Sequence, residues 1–169
     1  MYKKGVCLAF LLFLLALPLL GQSTSSSVVE LYYSGRKAQD LGDYYTALEI
    51  YKSCLEINRN YIGPIIGLAE IYMALEEYEE ALKYLQRAKI LDSGNTELWV
   101  LEGRINIGLE NYSRAEQLFS SVVQREPYNQ QAQLGFAEIA LAQGKLEAAR
   151  IKYNDALRMN PENKKALLS

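Results

Sequence analysis

The chain contains no histidine and only two cysteines, Cys7 and Cys54, in 169 residues. Histidine is the most common metal ligand and general base, so we expect no catalytic residue, no metal site and no cofactor. Two cysteines cannot build a disulfide framework. The chain also lacks a basic cluster, since 18 basic and 20 acidic residues leave a formal net charge of −2. This balance argues against nucleic acid as a partner.

Motifs that carry chemistry are missing as well: there is no CxxC pair, no glycine-rich phosphate loop and no metal-ligand spacing. The acidic run from Glu76 to Glu80 allows two interpretations. It is either a docking or cation site, or a solvated turn whose glutamates lie at a helix N-terminus, where the helix dipole favours them. We favour the solvated turn.

The N-terminal residues have the order of a secretion signal. Lys3 and Lys4 are followed by an uncharged run from Val6 to Leu20 and then by Gly21-Gln22-Ser23. This run of fifteen residues is short for a membrane span, which needs about 20. We predict a signal peptide over residues 1–21, cleaved after Gly21 or after Ser23, and a serine-rich linker over 22–27. The expected location is extracytoplasmic, in a bacterial periplasm, and the alternative is an uncleaved membrane anchor.

A regular period runs through the rest of the chain. Four columns of similar residues recur at a constant step of 34: Ala47, Ala81, Ala115, Ala149; Tyr51, Leu85, Phe119, Tyr153; Gly35, Ala69, Gly103, Ala137; and Cys54, Ala88, Val122, Ala156. Small residues let two helix backbones approach, and large residues fill the groove opposite. The columns therefore predict packed helices, and they make Cys54 a buried packing thiol.

These residues resemble the tetratricopeptide repeat (TPR), most clearly in the third repeat, at Trp99, Gly103, Ala115, Phe119 and Pro127. The resemblance covers residues 28 to about 163. It implies an all-α fold, an α-solenoid of four helix–turn–helix repeats in a right-handed superhelix. The repeats are predicted at residues 28–61, 62–95, 96–129 and 130–163. The chain departs from the family pattern where leucine is replaced by Ser34 and Glu102, and where proline is replaced by Arg59 and Ser93.

The predicted helix pairs are 28–41 and 45–58, 62–75 and 79–92, 96–109 and 113–126, 130–143 and 147–160. Asp43 and Asn111 are placed to cap second helices, and Pro127 and Pro161 should end them. The C-terminal stub, residues 164–169, is too short to cover the fourth repeat, which leaves self-association through that end as an expectation.

In this family the first helices line a concave groove, and we expect the partner to bind there. The predicted partner-binding residues are Tyr32, Arg36, Ile66, Glu70, Met73, Val100, Arg104, Ile107, Leu134, Glu138 and Leu141. Because the core columns already serve helix packing, the apolar members should face the groove and bind an extended peptide or an amphipathic helix. The small residues Gly67, Gly108 and Gly135 should open space beside them. In the alternative interpretation, the Arg and Glu side chains pair with each other and the apolar stripe is partly covered.

The resemblance thus implies a non-enzymatic scaffold with a protein or peptide partner, in envelope assembly, secretion or transport. Two alternatives remain open: an accessory protein that holds a hydrophobic small molecule in the groove, and a repeat segment of a larger regulatory protein. Membrane contact is expected only if the signal stays uncleaved. The cationic clamp that some relatives use for chaperone tails is not carried over, because its positions hold Tyr32, Arg36, Gly67, Glu97 and Leu101.

Overall fold

A computed structural model describes residues 27–159. Within this range the chain forms eight α-helices and no strand: α1 at residues 27–40, α2 Tyr44–Ile57, α3 Ile62–Ala74, α4 Tyr78–Leu91, α5 Thr96–Gly108, α6 Tyr112–Arg125, α7 Gln130–Ala142 and α8 Leu146–Met159. The predicted signal peptide, most of the linker, Pro161 and the C-terminal stub lie outside the described residues. The chain divides into two compact units, one ending at Gly67 and the other beginning at Leu68.

The helix bounds follow the predicted ones closely. Helices α3, α5 and α7 begin at the predicted residues 62, 96 and 130, and each ends one residue earlier than predicted. The second helices α2, α4, α6 and α8 both begin and end one residue earlier than predicted. Both shifts make the turn after each first helix end sooner, because the chain reverses there through a compact backbone motif.

That motif is a left-handed residue that ends each first helix. The left-handed residues recur once in every repeat, at Gly42, Glu76, Glu110 and Gly144, with φ values of 77°, 61°, 60° and 73°. At Glu110, the backbone N–H donates to the carbonyl of Ile107 at 2.9 Å, and the next N–H donates to the carbonyl of Asn106 at 2.8 Å. The same two bonds recur at the other three turns, so each turn satisfies helix-end carbonyls in the same way.

The predicted caps are half correct. The Asp43 carboxylate accepts a hydrogen bond from the Thr46 N–H at 3.2 Å, as predicted. The prediction for Asn111 is wrong, because its side chain makes no capping bond; its backbone carbonyl accepts from the N–H groups of residues 114 and 115 instead. Two caps that the sequence analysis missed are Asn95 and Asn129, which accept from Glu97 N–H at 3.0 Å and Ala132 N–H at 2.9 Å.

The repeating columns of the sequence form the core. The alanines Ala47, Ala81, Ala115 and Ala149 are at most 2% exposed, and Cys54, Ala88, Val122 and Ala156 are at most 1% exposed. The prediction that Cys54 is a buried packing thiol is confirmed. Burial raises the pKa of its thiol, which opposes formation of a reactive thiolate.

Aromatic rings fill the space beside several glycines. The Phe119 ring lies against Gly103 of α5 and Gly135 of α7, and a Cβ at either glycine would come within 3.0 Å of it. Tyr51 lies in the same way against Gly35 and Gly67. The prediction that Gly67, Gly108 and Gly135 open space in a groove is therefore wrong. Rings from Tyr51, Tyr78 and Phe119 occupy that space, because a residue without a Cβ lets a planar ring reach the helix backbone.

Candidate functional site

Two of the predicted groove residues belong to the core of the second unit. Val100 is only 5% exposed and lies in a buried cluster with Phe119 and Val122. Ile107 is half-buried and packs against the same cluster. The prediction that Val100 faces an accessible groove is wrong. Helix α5 is enclosed by α4, α6 and α7, so its apolar side chains serve helix packing on more than one side.

The accessible part of the predicted stripe is on α7. Leu141 is 49% exposed and Leu134 is half-buried, and their spacing of seven residues places them on one face of the helix. Glu138 lies between them on that face. Two leucines of one face therefore remain at least partly accessible after the helices have packed.

An arginine on α5 crosses to this face. The Arg104 guanidinium lies 3.3 Å from the Glu138 carboxylate and donates through Nη2 to Gln131 Oε1 at 2.6 Å. We call Arg104, Gln131, Leu134, Glu138 and Leu141 the α5–α7 face. The alternative interpretation of the sequence, that arginine and glutamate pair with each other, is correct for Arg104 and Glu138.

Sequence reasoning missed Gln131 in this set. Its signal was present, because Gln131 precedes Leu134 by three residues and Glu138 by seven, which places all three on one side of α7. Tyr153 of α8 also senses this face. Burial raises the pKa of its phenol, the Glu138 charge raises it further, and the Arg104 charge opposes the rise.

The remaining predicted site residues lie elsewhere. In the first unit, Tyr32, Arg36 and Ile66 are half-buried, and Arg36 Nη2 lies 3.9 Å from Asp40 Oδ1. In the second unit, Glu70 and Met73 on α3 are half-buried. Their predicted role in partner binding stays a prediction.

A charged cluster occupies a position where the family resemblance expects leucine. Glu102 on α5, with 13% of its side chain exposed, accepts from Lys89 of α4 at 2.5 Å and from Arg114 of α6 at 3.0 Å. Burial alone would raise the pKa of this carboxyl. The two basic partners outweigh burial and lower the pKa. The cluster ties three helices together and is half-enclosed, which suits a structural role.

Other candidate chemistry is not supported in the described part of the chain. No group of three Cys, Asp or Glu residues within 27–159 is arranged to hold a metal ion. Glu79 and Glu80 lie in the first turn of α4, and Glu80 pairs with Lys83 at 2.5 Å, as expected for a solvated turn. None of the helices in this range is long and apolar enough to cross a membrane.

Comparison with known proteins identifies the family. Two family profiles, both described as tetratricopeptide repeat, match residues 38–105 and 100–164. The chain belongs to the tetratricopeptide-repeat family. The predicted all-α repeat fold is confirmed, and TPR proteins generally act as interaction scaffolds rather than enzymes.

Relatives among characterised proteins match only part of this TPR chain. Human tetratricopeptide repeat protein 12 is 30% identical over 93 residues, which is 55% of this chain and 13% of that protein. The general transcriptional corepressor trfA of Dictyostelium discoideum is 25% identical over 93 residues. The matched stretch is 7% of the corepressor, so the chain spans a small part of the length of both.

Solved TPR structures share the fold over most of the chain. The TPR protein TTC0263 of Thermus thermophilus is 25% identical, with a TM-score of 0.69, and the match covers 82% of this chain and 76% of that one. The first TPR domain of Spaghetti (RPAP3), solved with an HSP90 peptide, is 20% identical with a TM-score of 0.61. That match covers 69% of this chain and 93% of the RPAP3 domain.

Proposed function

We propose that this TPR protein is an exported adaptor that binds an extended segment of a partner protein on the α5–α7 face. The observation that carries the proposal is the exposed Leu141 beside half-buried Leu134 and the Arg104–Glu138 pair, all on one helix face. Apolar side chains that helix packing leaves uncovered, next to fixed polar groups, are typical of a peptide-binding surface.

The polar network would fix how the partner lies. Arg104 and Glu138 already neutralise each other, so the face presents a bound pair rather than an isolated charge. An extended segment could exchange hydrogen bonds with Gln131 and the pair while its apolar side chains cover Leu134 and Leu141. Each contact would remove apolar area from water, at roughly 25 cal/mol per Å².

Two structural relatives support a peptide as the partner. One was solved with an HSP90 peptide bound, and YrrB is a TPR protein with an unusual peptide-binding site. The chaperone-tail mode itself is not proposed here, because Glu97 and Leu101 stand at positions where that mode uses a cationic clamp. Export rests on the N-terminal sequence pattern, and it would place the partner outside the cytoplasm, in envelope assembly, secretion or transport.

The proposal can be tested by cross-linking from defined positions. A photoreactive amino acid would replace Leu141 on the α5–α7 face or, as a matched control, Ile151 on α8, which is 56% exposed. We expect a discrete partner to be cross-linked in native cells from position 141 and not from position 151. Leu141→Lys should abolish capture of the same partner, with the helical circular dichroism unchanged. Equal cross-linking from both positions, or capture that survives Leu141→Lys, would contradict the proposal.

A further inference from the structure

Four tyrosines of the first unit form one connected aromatic cluster. The Tyr32 ring is central, with ring centroids 5.5 Å from Tyr33, 5.9 Å from Tyr51 and 5.3 Å from Tyr61. The cluster runs from the core to the surface, because Tyr51 is fully buried, Tyr32 and Tyr61 are half-buried and Tyr33 is 65% exposed. We call Tyr32, Tyr33 and Tyr61 the tyrosine surface.

The rings of this surface are held in place from below. Tyr51 donates from its hydroxyl to Gln39 Oε1 at 2.7 Å, which fixes the base of the cluster. Tyr32 lies directly on Gly63, where an added Cβ would be 2.9 Å from two of its ring atoms. The Tyr61 N–H donates to the Asn58 carbonyl at 3.1 Å in the turn before α3. A surface fixed in this way loses little conformational entropy when a ligand binds.

The ring faces are not covered by one another. Tyr33 and Tyr61 are tilted by 53° and 54° from the plane of Tyr32, rather than stacked on it. A tilted set of aromatic faces suits flat apolar groups that pack against rings. Tyrosine is also enriched among residues that dominate binding energy, because it offers a large area with few rotatable bonds.

The charges around the tyrosine surface disfavour a charged ligand. Arg36 and Lys37 follow Tyr32 and Tyr33 by one helical turn, so a cation seated on these rings would meet two positive charges. Glu30 and Asp40 on the same helix balance them, so an acidic ligand gains nothing overall. The surface therefore complements a neutral ligand.

We propose that the tyrosine surface binds a proline-rich segment of a partner protein in the polyproline II conformation. Such a segment is uncharged and already extended, so it loses little entropy on binding. Its pyrrolidine rings pack on aromatic faces, and its carbonyls, which form no internal hydrogen bonds, accept from phenol hydroxyls. An aliphatic helix would require an aliphatic groove, which these rings do not provide. The proposal concerns a separate surface and does not depend on the α5–α7 face.

The test is a titration of the full chain with a fluorescein-labelled decaproline and with a library of peptides carrying a fixed PxxP core, followed by fluorescence anisotropy. We expect binding that weakens about tenfold or more in Tyr33→Ala, and that is largely kept in Tyr33→Phe. Tyr45→Ala is the matched control, because Tyr45 lies in the same unit, is 78% exposed and makes none of the ring contacts described above. Tyr33 is exposed, so its replacement should leave the helical circular dichroism unchanged.

The same assay includes an oligolysine and a maltohexaose of similar length, which represent cationic and carbohydrate ligands. The proposal is overturned if neither proline-rich probe binds at millimolar concentration, or if binding is equal in Tyr33→Ala and Tyr45→Ala. It is also overturned if oligolysine or maltohexaose binds in a Tyr33-dependent manner and the proline probes do not. None of these outcomes depends on Leu141, so they are distinct from a failure of the proposed function.

Discussion

Individual residues at the four first-helix ends carry unequal strain. Gly42 and Gly144 adopt the left-handed conformation freely, whereas Glu76 and Glu110 adopt it with a Cβ present. A non-glycine residue there costs roughly 1–2 kcal/mol, and glycine gives back part of that saving as unfolded-chain entropy. We predict that Glu110→Gly raises the free energy of unfolding by up to about 1 kcal/mol, measured by urea denaturation.

The control for this variant is Glu116→Gly, at an exposed position inside α6. There the same substitution should destabilise the protein by about 1 kcal/mol, because glycine is a poor helix former. If both variants lose stability alike, the left-handed turn at Glu110 is wrong.

The Glu102 carboxylate predicts a specific pH dependence. Burial would raise its folded pKa above 4.5, but Lys89 and Arg114 outweigh burial and lower the pKa below that value. A group with a depressed folded pKa stabilises the protein above its unfolded pKa, and the contribution is lost as pH falls from about 4.5 through the folded value. We predict that Glu102→Gln is less stable than the parent at pH 7, and that the difference shrinks below pH 4.5 in thermal melts.

Glu147 provides the comparison for that experiment. It also pairs with an arginine, Arg150, at 2.7 Å, but 80% of its side chain is exposed. Exposed pairs contribute little, so Glu147→Gln should melt like the parent at both pH values. Equal behaviour of the two variants would show that the Glu102 cluster carries no special stabilisation.

Pairs of helices touch through the alanine column. Ala115 of α6 is 0% exposed and lies in the core cluster of the second unit. We predict that Ala115→Leu overpacks this contact and lowers the free energy of unfolding by about 1–3 kcal/mol. The same change at Ala142, which is exposed at the end of α7, should have little effect in the same chemical denaturation series.

At the scale of whole helices, sequence periodicity was a good guide to position and a poor guide to exposure. The repeat period located every described helix within one residue, because packing requires small and large residues in fixed register. It could not separate Val100 from Leu134, which occupy the same column. Val100 is buried because neighbouring helices enclose α5, and a repeated pattern does not reveal how many neighbours each helix has.

The molecule as a whole should differ from its translated sequence if it is exported. The basic start and the apolar run from Val6 to Leu20 predict removal of residues 1–21 or 1–23. N-terminal sequencing of the protein extracted from the native cell envelope should therefore begin at Gln22 or Thr24. A sequence that begins at Met1 would replace export with anchoring by an uncleaved signal.

The rings seated between glycines bear on how this chain could gain or lose repeats during evolution. Tyr51 needs the glycine that follows it on the next first helix, Gly67, and Phe119 needs Gly135 in the same way. Loss of one repeat, residues 62–95, would bring Leu101 to the place of Gly67, and the leucine side chain would meet the ring. Loss of two repeats, residues 62–129, would bring Gly135 there and preserve the fit. The heritable module of this solenoid is then a double repeat, and chains shortened by two repeats should fold where those shortened by one do not.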